Sequence, residues 1–187
     1  YVAVKRQSDI AEYKYRINWS KVEFKQKIRD IEHPIIREVL LLLKIDFPLE
    51  VTTFADIPAK SGLGSSSSFS VGLINALLAL KGESVSKEKL AELGAKIEVD
   101  ILKRNMGKQD HYAAAFGGLN IISFFSDESV EIKQLENKNF NTSILSDNLL
   151  LFFTGQTRDA SKILASQSKN TLSKFETLKS MRNLVPR

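Results

Sequence analysis

Residues 47–80 read FPLEVTTFADIPAKSGLGSSSSFSVGLINALLAL, and a change of period inside this stretch decides the fold. From Phe47 to Ile57 the chain alternates. Phe47, Leu49, Val51, Thr53, Ala55 and Ile57 fall on one side, and Glu50, Thr52 and Asp56 on the other. That two-residue period predicts a strand with one face in a core. From Phe69 the period lengthens, and Phe69, Val71, Leu73, Ile74, Leu77, Leu78 and Leu80 lie on or near one stripe of an amphipathic helix. Between them stands Pro58-Ala59-Lys60-Ser61-Gly62-Leu63-Gly64-Ser65-Ser66-Ser67-Ser68. Gly62 and Gly64 allow positive φ and close approach of the backbone to a ligand. The serines open a helix, where the first N–H groups lack intrahelical acceptors and the dipole favours negative charge. The stretch therefore predicts a cradle for polyphosphate, with one serine hydroxyl within reach of a magnesium ion. A flexible linker does not fit, because strand and helix flank the loop without a spacer. A glycine–serine helix cap without a ligand is the plainer alternative. The Gly-Lys-Ser/Thr ending of a Walker A loop is absent, Gly107-Lys108-Gln109 lacks its hydroxyl residue, and there is no Rossmann fingerprint.

Upstream, Val2 to Arg6, Tyr13 to Asn18 and Lys21 to Phe24 read as short strands separated by polar turns. His33-Pro34 followed by an aliphatic run to Leu43 predicts a buried helix with proline at its first position. Downstream, Ser86 caps a helix reaching about Arg104, with Leu90, Leu93, Ile97, Ile101 and Leu102 inward. Met106 to Gly118 predicts a turn and a short alanine-rich helix. Strands are expected near Asn120 to Phe125, Val130 to Leu135 and Leu149 to Phe153, and helix from Arg158 onward. This order predicts α+β layers rather than a regular parallel α/β sheet. Trp19 and the phenylalanines are expected to pack in the core, and His33 to start its helix.

The 187 residues, 43% hydrophobic and 26% charged, suffice for a sizeable core without staples. No cysteine is present, which excludes disulfides, zinc–thiolate sites and a thiol nucleophile, and suits a cytoplasmic setting. The longest apolar runs, such as Val39 to Leu43, are far short of the roughly 20 residues that span a bilayer. The net charge of +5 is scattered along the chain rather than clustered, so a nucleic-acid partner is not expected.

Ile57 to Ser67 resembles the second motif of the GHMP kinases, the group of galactokinase, homoserine kinase, mevalonate kinase and phosphomevalonate kinase. Glycines, serines, proline and strand–helix context agree together. Three stretches resemble more narrowly the D-glycero-D-manno-heptose 7-phosphate kinases: this loop, Gly107-Lys108-Gln109-Asp110-His111-Tyr112-Ala113-Ala114-Ala115-Phe116-Gly117-Gly118, and Leu150-Leu151-Phe152-Phe153-Thr154-Gly155-Gln156-Thr157-Arg158. One departure is His111, where that subfamily leads one to expect glutamine. The resemblance implies a two-layer ATP-binding N-terminal domain over residues 1–147 and the beginning of a ferredoxin-like C-terminal domain over residues 148–187. The family's first and third glycine-rich motifs are not found, so it also implies a central fragment.

By that resemblance, Lys60, Ser61, Gly62, Leu63, Gly64, Ser65, Ser66 and Ser67 bind the ATP phosphates. Ser66 and Glu98 hold Mg2+, and Asp110, twelve positions after Glu98, is the catalytic aspartate. The residues support this independently, though less sharply. Phosphoryl transfer needs a metal on the β,γ-phosphates and a group that orients the attacking hydroxyl. Glu98 offers a hard oxygen ligand and Asp110 sits at a turn into a helix. The plainer alternatives are a solvated Glu98 and an Asp110 that merely complements a helix N-terminus. Asp100 points to another helix face. Lys108 and Arg158 are candidate contacts to a phosphate of nucleotide or sugar. The expected reaction is transfer of the γ-phosphoryl of ATP to the anomeric hydroxyl of the heptose 7-phosphate. A fucose- or galactose-type kinase and a non-catalytic binding paralogue are the alternatives. The expected partner is a small sugar phosphate, with no membrane and with a homo-oligomer left open.

Overall fold

The computed structural model describes residues 1–8, 10–59, 61–135, 142–155 and 160–184. Strands β1 (Val2–Arg6), β2 (Tyr15–Asn18), β3 (Val22–Lys25) and β4 (Leu49–Thr53) form one sheet in the order β1-β4-β2-β3. β4 runs antiparallel to β1 and parallel to β2, and β2 and β3 form a hairpin. Register puts Ile17 opposite Val51 and Val51 opposite Val4, so the alternating side chains of three strands share one face. Ile17, Leu49 and Val51 are fully buried there. Each such aliphatic contributes about 1.5–3 kcal/mol relative to exposure.

Helices α1 (Pro34–Leu42), α2 (Ser65–Leu80), α3 (Lys87–Ala95) and α4 (Gln109–Phe116) form the second layer. Pro34 stands at the start of α1, and His33 caps it by accepting the Ile36 N–H on Nδ1 at 3.4 Å. The Ser86 hydroxyl accepts the Lys89 N–H at 3.2 Å in the expected cap of α3. α2 is the central helix, packed on β1, α1, α3 and α4, with Leu73, Ile74 and Leu77 fully buried. Strands β5 (Asn120–Phe124) and β6 (Val130–Gln134) form a separate hairpin against α4. Helices α5 (Thr142–Asp147), α6 (Ala160–Lys169) and α7 (Phe175–Asn183) follow.

The strand expected to reach Ile57 stops at Thr53, and Ala55 and Ile57, expected on its core face, are exposed; three further expectations need correction. First, the helix capped by Ser86 does not keep α-helical pitch to Arg104, because α3 passes into a π-helical turn, Lys96–Ile101. The wider turn breaks the 3.6-residue stripe, so Ile101, expected inward, is 38% exposed. Second, Leu149 to Phe153 is not a strand. It is irregular, with Leu150 83% and Phe152 78% exposed, since β-structure needs a hydrogen-bonding neighbour and none is placed beside it among the described residues. Third, the phenylalanines are not uniformly core, as Phe24, Phe54, Phe124, Phe125, Phe152, Phe153 and Phe175 are exposed. Trp19 does pack against the core, edge-on to His33.

Candidate active site

Gly64 is the N-cap of α2, at φ 64° and ψ 27°. Gly62 is also left-handed, with φ 82°. These two positions require the freedom that glycine has and other residues lack. The first helical hydrogen bond runs from the Ser68 N–H to the Gly64 carbonyl at 2.9 Å. The N–H groups of Ser65, Ser66 and Ser67 therefore precede the ladder and have no acceptor within the helix. Ser67 is fully buried and its hydroxyl has no partner among the described residues; neither has that of Ser61. Buried hydroxyls without partners are rare in a folded chain, and here two of them belong to one loop.

Asp110, in the first turn of α4, faces this loop. A β-carbon built on Gly64 would lie 3.1 Å from Asp110 Oδ2 and 3.2 Å from its carboxyl carbon. The exposed carboxylate thus stands at the positive end of α2. The structure thus brings the serine loop and the turn carrying Asp110 together.

Glu98 lies on the π-helical turn and is 0% exposed. Its Oε1 accepts from the Ser70 hydroxyl at 3.1 Å and meets His111 Nε2 at 3.2 Å, while its Oε2 pairs with Arg104 Nη1 at 2.5 Å. Burial alone would push this carboxyl up. Hydrogen bonds from His111 and Ser66 and the charge of Arg104 outweigh it and hold the group below the usual glutamate range. Glu98 is therefore a buried, ionised, fully partnered carboxylate, not a solvated surface residue. Asp100, in contrast, is exposed. Gly94 of α3 permits the arrangement, because a β-carbon there would come within 3.0 Å of both His111 Cδ2 and Val71 Cγ2.

The flanking cations are placed differently. Lys108 pairs at 2.8 Å with Glu128 on the β5–β6 turn. Leu63 is exposed at the loop tip. Lys60 and Arg158 lie outside the described residues. The sequence reading missed His111, Ser70 and Arg104 as partners of Glu98. The only available signal was the replacement of an expected glutamine by a residue able to reach a carboxylate. It also missed Glu23, a buried carboxylate that accepts from Trp19 Nε1 at 2.9 Å, the Glu32 N–H at 2.7 Å and the His33 N–H at 3.3 Å. Glu23 closes the corner between β3 and α1.

A four-stranded sheet backed by helices, with a glycine–serine turn opening the central helix and a carboxylate of a neighbouring helix at its mouth, makes an α+β domain organised around one helix N-terminus. Residues 34–118 match the family model for the GHMP kinases N terminal domain, and this segment belongs to that family. The chain is 36% identical over 129 residues to D-glycero-alpha-D-manno-heptose 7-phosphate kinase of Campylobacter jejuni, an alignment covering 69% of this chain and 38% of that protein. It spans well under half the length of that relative. Among solved structures it is similar to a putative sugar kinase from Campylobacter jejuni, with a TM-score of 0.66 and 25% identity over 97% of this chain and 58% of that one. A D-glycero-D-manno-heptose 1-phosphate kinase from Bacteroides thetaiotaomicron shares the fold, with a TM-score of 0.64 and 24% identity over 74% of this chain and 48% of that one. No helix among the described residues is long and apolar enough to cross a membrane.

Proposed function

We propose that this chain is the phosphate-cradling part of an ATP-dependent sugar kinase. Its reaction moves the γ-phosphoryl group to the anomeric hydroxyl of D-glycero-D-manno-heptose 7-phosphate. The carrying observation is the Asp110 carboxylate held against Gly64 at the N-terminus of α2. The heptose is supported by the 36% identical relative.

In this reading the backbone N–H groups of Ser65, Ser66 and Ser67 receive the polyphosphate, and Gly62 and Gly64 let it approach. Lys60 and Ser61 belong to the same cradle. Asp110 accepts a hydrogen bond from the sugar hydroxyl and takes its proton as the oxygen bonds to the γ-phosphorus and the bond to the ADP oxygen breaks. Substrate phosphate thus faces the helix dipole while the nucleophile faces the carboxylate.

The residues present fit a magnesium ion of the kind that takes one carboxylate, a hydroxyl and substrate phosphates. Ser66 and Glu98 would hold it, and it would neutralise charge on the β,γ-phosphates. Arg104, whose side chain is 34% exposed, pairs with Glu98 Oε2 and would have to release that oxygen for it to serve as a ligand. A phosphate contact by Lys108 requires opening its pair with Glu128, which solvent screens on the exposed Glu128 side.

The test is Asp110→Asn in the complete protein. Turnover should fall by at least about 100-fold, as expected for loss of a proton acceptor, while Mg·ATP affinity stays within about twofold. Unchanged turnover defeats the assignment. A panel of heptose 7-phosphate, unphosphorylated heptose, fucose and galactose then separates the substrates. Equal use of the unphosphorylated heptose would remove the heptose 7-phosphate assignment.

A further inference from the structure

Beyond the groups assigned to phosphate, metal and proton, one buried side chain contacts Glu98 and directly follows Asp110 in α4. We infer that His111 is a positioning residue that sets Asp110 and Glu98 relative to each other, through the Nε2 contact to Glu98 and its place next to Asp110 in α4. For its catalytic consequence the inference rests on the kinase reading above.

The imidazole is 0% exposed and wedged at the crossing of three helices, beside Gly94 of α3 and Val71 of α2. Its Nε2 meets Glu98 Oε1 at 3.2 Å, and its Nδ1 has no partner among the described residues. With the proton on Nε2, the imidazole donates to the carboxylate and the unpartnered atom is a lone pair. The opposite tautomer would set two acceptors against each other and bury an unpaired N–H. The bond thus selects the Nε2–H form.

Two consequences follow from this single contact. Glu98 Oε1 is engaged by His111 and Ser70, which leaves Oε2 toward Arg104. The first turn of α4 is also tied to the π-helical turn, which keeps Asp110 at Gly64. An ordinary core histidine would supply volume alone, whereas this one supplies a directed N–H between two elements of the site.

The experiment compares His111→Ala and His111→Gln in the complete protein, since glutamine also offers an N–H at comparable reach. In His111→Ala, kcat should fall at least about tenfold, toward the roughly 100-fold cost of an ångström-scale misplacement. Affinity for metal-free ADP should stay within about twofold. His111→Gln should recover kcat to within about threefold of wild type. Crystal structures should show Asp110 displaced from Gly64 in the alanine variant and retained in the glutamine variant. If His111→Ala does not fold, His111→Leu takes its place as the apolar variant without a donor. The inference is overturned if the variant lacking a donor keeps kcat within twofold. It is equally overturned if glutamine rescues no better than that variant, or if Asp110 stays at Gly64 without the donor. Absence of sugar-dependent turnover in the wild type would instead defeat the kinase reading, and the crystal comparison would still decide the positioning role.

Discussion

Asp110 Oδ2 lies 3.1 Å from the position that a β-carbon on Gly64 would occupy. The catalytic-site geometry proposed here is thus written into the absence of one methyl group. Gly64→Ala adds that methyl against the carboxylate and places alanine at φ 64°, a left-handed conformation that costs about 1–2 kcal/mol for a residue with a β-carbon. The variant should fold with a urea midpoint lowered accordingly and should lose phosphoryl transfer by at least about tenfold. Full activity would show that the contact is dispensable.

Glu98→Gln keeps shape and removes charge. Its amide oxygen can still accept from Ser70 and His111, and Arg104, partly exposed, can turn to water. The stability cost should be about 1–3 kcal/mol. The Mg2+ concentration for half-maximal turnover should rise at least about tenfold, the affinity for metal-free ADP remaining within about twofold in calorimetric titration. An unchanged Mg2+ requirement would remove Glu98 from the metal site.

Gly94→Ala tests the helix crossing. The new methyl would press on His111 Cδ2 and Val71 Cγ2 at 3.0 Å, and overpacking of this kind costs about 1–3 kcal/mol. The better helix propensity of alanine returns at most about 1 kcal/mol. Urea unfolding should therefore show a lower midpoint at constant slope. A higher midpoint would mean that the three helices have slack to absorb the group.

His33 gives the fold a pH dependence. Burial first, and then the charge of Arg104, push its pKa below the ordinary value of 6.5, against an opposing pull from Glu23. Below about pH 6.5 the unfolded chain therefore takes up a proton that the folded chain resists, and stability falls as pH drops toward the folded value; above 6.5 it is level. Protonation also places a hydrogen on Nδ1, the atom that accepts the Ile36 N–H. His33→Asn retains a capping oxygen without the titration. Between pH 7.5 and 5.5 the wild type should lose more stability than this variant in urea titrations, and parallel losses would exclude His33 as the source.

The loop and its two flanking elements were legible because glycine, serine and the change of period each have one simple physical meaning. The Ser86 and Pro34 helix starts were legible for the same reason. Glu98 and Asp110 are singled out by resemblance, but their surroundings are not legible in the sequence. Nothing local in the sequence announces that Ser70, Arg104 and His111 converge on one carboxylate, since they come from α2, a loop and α4. Glu23 escaped notice likewise, its three donors being assembled only by the corner between β3 and α1. Leu149 to Phe153 has strand composition, yet composition cannot supply a neighbouring strand. Ile101 was misplaced because a 3.6-residue count was carried through a turn that does not keep it.

That turn makes Glu98 depend on arithmetic as well as chemistry. A π-helical segment takes in extra chain relative to ordinary pitch. Shortening Lys96–Ile101 by one residue, with every functional group retained, would restore regular winding and turn whatever follows by about 100°. Arg104, Asp110 and His111 all follow it. Homologous chains that keep these side chains but differ in length here would therefore need a compensating insertion before the next helix.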